Sequence, residues 1–377
     1  MIDNYLIISK IFVYTLLSFL FALWTSPTLI KLLVWLRFWK KKSRSINMNG
    51  DKITDSTLNN FYENDEAKMK VPRAGGLLIW FISISFALFF WLLLKIQPEP
   101  APGTEPSGFY KLFQYLNFVS RSQTFIPIAT LFFGSLFGFI DDALSTLETG
   151  GNYKAGGLKL SHRFILVGTL STVIGLWFYL QLKLTKVQVF AWTLDFGNIF
   201  GFSLGFLFVF MTIFVLMGLW TSSVIDGFDG LAVSTFIPIY LCFAALSYVR
   251  GYDNIAVFLM VMVGAMTAFL WFNITPAKFY LGDTGSLGIL LTIGVVAILI
   301  NATYIIPIAG IMLVLTALSV IIQTLSKKLF HKKVFKATPL HHHFEAMGFA
   351  KDQIVARYMI VTTFMSILGF LCGIYFG

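Results

Sequence analysis

Ten stretches of about twenty mostly apolar residues run through this chain, each long enough to cross the hydrocarbon core of a bilayer as a helix. They cover residues 6–30, 76–95, 124–143, 164–182, 200–220, 232–249, 255–273, 284–301, 305–325 and 354–375. The fold they predict is all-α and integral to the membrane, one polytopic domain over residues 1–377 with about ten transmembrane helices. Only Asn301 to Tyr304 separates the eighth stretch from the ninth, so one tight turn must serve there. Composition closes the alternative. The chain is 57% hydrophobic and 12% charged, whereas soluble domains carry about 25% charged residues. A soluble fold would need a core too large for one domain.

The net charge of +10 would suit a nucleic-acid partner if it were gathered in one soluble unit, and it is not. The basic residues lie between apolar segments, where they set topology and attract anionic lipid or a polyanionic substrate, so no nucleic acid is expected. Cys242 and Cys372 fall inside apolar segments and read as small hydrophobes rather than a disulfide or metal framework. No small-residue cleavage site clearly follows the first stretch, which predicts a retained span. With the N-terminus placed outside, 21 of the 28 Lys and Arg residues fall on the inner side, a threefold positive-inside bias.

Outside, residues 97–108 form a Pro-rich irregular connection, and 185–198 alternate enough to predict a short hairpin. Gly134-x-x-x-Gly138 and Gly201-x-x-x-Gly205 have the spacing for close helix packing, which in a chain of 30 glycines also arises by chance.

The inner ends of the spans carry the chemistry. The third ends in Gly138-Phe139-Ile140-Asp141-Asp142, and the fifth precedes Asp226-Gly227-Phe228-Asp229-Gly230. The seventh ends at Asn273, with Tyr280-Leu281-Gly282-Asp283-Thr284-Gly285-Ser286 beyond it, and the ninth leads to Pro339-Leu340-His341-His342-His343-Phe344-Glu345. Each has a plain reading. An Asp at a helix end ordinarily caps it or faces solvent, Asp283-Thr284-Gly285 can simply start the eighth span, and a His tract is weak evidence of metal. The Asp141–Asp142 pair resists that reading, because two like charges at a membrane boundary repel unless a cation lies nearby. Five carboxylates on one face suit Mg²⁺ or Mn²⁺ better than zinc. Mg²⁺ with nearby Lys, Arg and His is the equipment for holding a diphosphate through phosphoryl transfer. The adjoining glycines let backbone approach phosphate. These residues therefore predict a Mg²⁺-dependent transferase that joins a soluble anionic donor to a lipid phosphate.

The same residues resemble the phospho-N-acetylmuramoyl-pentapeptide transferase family (translocase I), within the polyprenyl-phosphate N-acetylhexosamine-1-phosphate transferases. The resemblance runs from first span to last. It is most specific at Pro339 to Glu345, at Trp271-Phe272-Asn273 followed by Gly282 to Ser286, and at Phe139 to Asp142. It implies a bacterial cytoplasmic-membrane enzyme that moves phospho-MurNAc-pentapeptide from UDP-MurNAc-pentapeptide to undecaprenyl phosphate, giving lipid I and UMP in peptidoglycan synthesis. It further implies Asp283 as Mg²⁺ ligand, with Asp226 as a second, and Asp141 and Asp142 serving the reacting phosphates. His341, His342 and His343 would face the diphosphate or sugar. Asp226, Asp229, Asn273, Tyr280, Lys68, Lys70 and Arg163 would bind the substrates. Family enzymes often form homodimers, and that expectation carries over.

Several positions depart from the family pattern. Val71-Pro72-Arg73-Ala74-Gly75-Gly76 stands where the family usually reads Thr-Pro-Thr-Met-Gly-Gly, and it resembles the GlcNAc-1-phosphate branch instead. Trp220 to Ile225, including Ser223, replaces an Asn-rich run, Ser145 replaces a basic residue, and Thr316 stands where a Glu is usual. The nearest competing reading is a UDP-GlcNAc:polyprenyl-phosphate transferase, favoured by Pro72-Arg73 and opposed by His341 to Glu345. A transporter would place its binding groups near the bilayer midplane rather than at loop ends. A scaffold would not need the Asp pair and Asp283 together.

Overall fold

The structure is a computed structural model that describes residues 2–39, 71–98, 100, 105, 107–146, 157–198 and 204–377. Its long helices are α1 (Ile2–Trp35), α2 (Leu77–Ile96), α4 (Phe125–Thr146), α5 (Leu160–Leu180) and α6 (Leu207–Thr221). They continue with α7 (Leu231–Val249), α8 (Asp253–Asn273), α9 (Gly282–Leu299), α11 (Ile311–Phe330) and α13 (Lys351–Tyr375). Among the described residues, ten helices are long and apolar enough to span a membrane, which agrees with the ten apolar stretches. The alternating segment forms the expected hairpin, with β1 (Lys186–Val189) antiparallel to β2 (Trp192–Asp195) and Val187 opposite Leu194.

Three features differ from the sequence reading. Beyond the Pro-rich connection stands a short helix, α3 (Gly108–Leu116), whose Phe109 and Leu112 are exposed three residues apart. The ninth stretch is broken: α10 (Ile306–Ala309) stops at Gly310 before α11 begins. The His tract, to which the sequence reading assigns no element, is a helix, α12 (Leu340–Ala346).

Burial ranks the helices. Nearly every residue of α9 is enclosed, and α8 and α7 follow, while α1, α2, α11 and α13 turn much of their surface outward. The centre is therefore α9 packed on α4, α6 and α7, with α8 bridging α1, α2 and α7. Lipid is as apolar as leucine, so helices inside it associate through close packing more than through water exclusion. The α4–α9 contact shows how. A Cβ on Gly134 would stand 3.1 Å from the Gly288 Cα, and one on Gly138 only 2.0 Å from the Asp283 carbonyl oxygen. The Gly134-x-x-x-Gly138 spacing is thus a packing device here; Gly201 of the second pair lies outside the described residues. A Cβ on Gly76, at the start of α2, would likewise meet the Gly285 nitrogen at 2.2 Å. Two glycine-faced backbones therefore close on the first turn of α9, the turn that carries Asp283.

Candidate active site

The segment before α2 is tied to the segment before α9. Tyr280 N donates to Pro72 O at 2.8 Å, Gly75 N to Tyr280 O at 2.8 Å, and Gly76 N to Leu281 O at 3.0 Å. Ala74 takes a left-handed φ of 60° within that tie. The register places Arg73 beside the turn into α9, and its charge acts on both Asp142 and Asp226.

The acidic groups meet at this turn. One ligand oxygen each from Asp141, Asp142 and Asp283 lies within 4.8 Å of the others. Asp142 is buried and caps α9 from outside the helix: its Oδ2 accepts from Thr284 N at 2.9 Å and from Thr284 Oγ1 at 2.7 Å. A carboxylate on the free N–H groups of a helix N-terminus is favourable. Asp141 Oδ1 accepts from Leu158 N at 2.7 Å. Arg163 then spans the gap, with one guanidinium nitrogen 2.6 Å from Asp141 and the other 3.0 Å from Asp283. That fork partly neutralises a cluster that would otherwise repel itself.

Asp226 stands across Gly282 from this trio, its Oδ2 accepting from Gly282 N at 3.2 Å. Its carboxyl stands at about 7, raised by burial and further by the charges of Asp283 and Asp142, and held from going higher by Arg73. Asp229 accepts from Ala277 N at 3.1 Å. Asn273 is buried and bridges two loops: its oxygen accepts from Gly230 N at 2.9 Å and its amide nitrogen donates to Phe279 O at 2.8 Å. Asp226, Asp229 and Asn273 are thus each bonded to backbone of a neighbouring loop, which holds the loops before α7 and α9 together.

The histidines divide three ways. His341 is fully buried, edge-on to Phe228, and neither ring nitrogen has a hydrogen-bond partner among the described residues. Its ring reaches the Asp226 loop only because Gly227 has no side chain, since a Cβ there would stand 2.2 Å from Nε2. Burial, aided by the neighbouring His342, lowers the His341 imidazole to about 3, so it is neutral at ordinary pH. His342 Nδ1 pairs with Glu345 at 2.9 Å, and His343 Nδ1 accepts from Lys336 N at 3.2 Å.

The structure therefore gathers Asp141, Asp142, Asp283, Arg163 and Asp226 around the start of α9, with His341 against the Asp226 loop. Asp226 is not part of the carboxylate trio, and Lys68 and Lys70 lie outside the described residues. The departures also find places. Ser145 donates to Asp142 O at 2.7 Å, Trp220 lines one crevice with Asp141, Arg163 and Asp283, and Thr316 is buried with its hydroxyl on Met312 O at 2.6 Å. Sequence reasoning noted Arg73 only as a departure. Its signal was a lone cation in a Pro-Arg-Ala-Gly-Gly run between a polar segment and a span.

Comparison with known proteins shows the family. Residues 124–301 match the family model described as glycosyl transferase family 4, a range that holds Asp141, Asp142, Asp226 and Asp283. The phospho-N-acetylmuramoyl-pentapeptide-transferase of Shouchella clausii is 31% identical over 361 residues, covering 96% of each chain. The chain belongs to that family. The protein of the same name from Clostridium beijerinckii is 29% identical over 98% of each chain. That from Clostridium novyi is 34% identical over 258 residues, 67% of this chain and 76% of the relative. The protein is thus a multi-pass membrane transferase of peptidoglycan synthesis, as its sequence motifs imply.

Proposed function

We propose that this transferase moves phospho-MurNAc-pentapeptide from UDP-MurNAc-pentapeptide to undecaprenyl phosphate, with Mg²⁺ as cofactor. A phosphate oxygen of the lipid attacks the β-phosphorus of the donor. A new P–O–P link forms, the bond from the β-phosphorus to the oxygen bridging it to the α-phosphorus breaks, and UMP leaves carrying that oxygen. The acceptor is already an anionic nucleophile, so it needs placing more than activating, and direct attack is favoured over a phospho-enzyme.

The observation that carries this reading is the convergence of Asp141, Asp142 and Asp283 within 4.8 Å at the N-terminus of a buried helix. Three hard oxygen donors this close suit Mg²⁺, which supplies charge neutralisation for the diphosphate when bound. Asp283 is the principal ligand in this reading, because it shares Arg163 with Asp141 but accepts no backbone N–H among the described residues, whereas Asp142 accepts from Thr284 and Asp141 from Leu158. Asp226 serves it from across Gly282. Arg163 and Arg73 hold phosphate oxygens as the carboxylates engage the metal. His341, neutral and with both ring nitrogens unspent, offers a hydrogen bond to the sugar or diphosphate. Asp229, Asn273 and Tyr280 hold the pocket for the uridine end, and Lys68 and Lys70 add cations to it.

Lys and Arg bias puts this face toward the cytoplasm, where the nucleotide donor would be. The test is UMP release by purified protein given undecaprenyl phosphate and either UDP-MurNAc-pentapeptide or UDP-GlcNAc. Release with the muramoyl donor is expected, and release with UDP-GlcNAc alone overturns the donor assignment. Asp283→Ala should abolish turnover, and full activity in that variant would end the metal assignment.

A further inference from the structure

A second polar cavity lies at the opposite end of the helix bundle from the acidic cluster. It has a volume of about 300 Å³ and is lined by Lys10 of α1, by Gln114, Tyr115, Asn117 and Ser120 at and just beyond the end of α3, and by Asp253 and Asn254 at the start of α8. That volume is at the lower end of ligand sites, which run from about 300 to 1,000 Å³. The bias of Lys and Arg puts this end outside.

The two charges in the cavity have different surroundings. Lys10 Nζ donates to the carbonyls of Tyr115 and Asn117, the latter at 3.1 Å, and lies 5.1 Å from the Tyr115 ring centre. One turn further along α1, Tyr14 donates to Leu116 O at 2.5 Å. Lys10 and Tyr14 thus cap the C-terminus of α3 from a neighbouring helix, where a cation is favoured. An ammonium has three donors, and two are spent. Asp253 lines the same cavity and makes no hydrogen bond or ion pair among the described residues, but its charge and that of Lys10 act on each other across the cavity. One cavity therefore offers a cation with a donor to spare and, acting on it without direct contact, a carboxylate that accepts no hydrogen bond among the described residues.

The surface beside the cavity is apolar. Phe109 and Leu112 of α3 are exposed 70% and 48%, and Leu6 of α1 is exposed 48%. In a membrane protein such a stripe next to a polar notch is where an acyl chain lies while its headgroup is held.

We propose that this notch binds one zwitterionic aminophospholipid of the outer leaflet, its phosphate on Lys10 and Asn254 and its ammonium on Asp253. A lipid with a phosphate but no amine satisfies Lys10 and leaves Asp253 alone, so the pair selects for the amine. The site is separate from the transferase chemistry and stands whether or not the proposed donor is right.

The test uses the full chain, purified and delipidated, with native mass spectrometry of lipid titrations. The probes are phosphatidylethanolamine and phosphatidylglycerol with the same acyl chains, and soluble phosphoethanolamine. The ethanolamine lipid should bind about tenfold more tightly than the glycerol lipid, and Asp253→Asn should bring the two to parity. Lys10→Met should weaken both. If that variant does not fold because the α3 carbonyls lose their cap, Asp253→Asn still decides, since it breaks no hydrogen bond. Equal binding of the two lipids to the unaltered chain, or an unchanged preference in Asp253→Asn, overturns the proposal. So does soluble phosphoethanolamine binding as tightly as the lipid.

Discussion

At the scale of single residues, the site turns on two arginines among four carboxylates. Arg163 is 19% exposed and forks between Asp141 and Asp283, so its removal leaves a half-buried acidic cluster unbalanced. Arg163→Ala should lower kcat by a factor of about 100 in the UMP-release assay, roughly 3 kcal/mol in the barrier. Arg163→Lys should recover only part of it, because an ammonium is a single point charge without the planar fork by which two separate guanidinium nitrogens reach Asp141 and Asp283. Arg73 acts on Asp226 and holds its carboxyl below where burial alone would put it, near 7. Removing a cation favours the protonated form, so Arg73→Thr should raise the Asp226 value and shift the acid limb of the pH profile of kcat/KM to higher pH. An unmoved limb would separate Asp226 from the rate. His341 carries a stability signature. Its folded value, about 3, lies below the ordinary 6.5, so the unfolded chain takes up a proton between those limits and the folded chain does not. Stability is therefore complete above pH 6.5 and falls as the pH drops toward 3. His341→Phe should flatten the fall of thermal midpoint across that range.

At the scale of elements, the site exists because two helices touch without side chains between them. Gly138→Ala would push a methyl into the Asp283 carbonyl, where only 2.0 Å is available. Overpacking of this kind costs about 1–3 kcal/mol, and here it also drives Asp141 and Asp142 away from Asp283. Activity should fall at least as far as in Arg163→Ala, with a lowered thermal midpoint. Gly168 on α5 is the control, since nothing stands within 4 Å of its missing Cβ. Gly168→Ala should leave activity intact and stabilise the helix by up to about 1 kcal/mol. These glycines were legible as a spacing, but the partner backbone was not, because spacing on α4 says nothing about which helix it meets.

At the scale of the molecule, one end carries the acids, the histidine helix and most of the cations, and the other carries α3, the β-hairpin and the Lys10 notch. In a chain whose Cys372 is replaced by alanine, Lys336→Cys should react with an impermeant maleimide only after the cells are opened. Trp192→Cys, 81% exposed on the hairpin, should react in intact cells. The reverse pattern would invert the topology and move both sites. Ten spans and a hairpin could be read directly, since apolar length and alternation are local properties. The break at Gly310 and the helix at Leu340–Ala346 could not, because a four-residue helix and a seven-residue one are too short to show a period.

The sequence by itself determined that this chain is an all-α membrane protein, and it supplied the Lys and Arg bias and the motifs on which the proposed orientation and chemistry rest. Each of those follows from the kinds of residue present and their order. Only the tertiary structure decided that Asp142 caps α9 while Asp283 lines the same cluster, that Arg163 joins Asp141 to Asp283, and that Arg73 belongs to the site. It also set Lys10 and Asp253 in one notch, 243 positions apart along the chain. The physical reason is the same in each case. A charge at the edge of a bilayer is tolerated only where something distant in sequence comes to meet it, and the close approach of glycine-faced helices settles what that partner is.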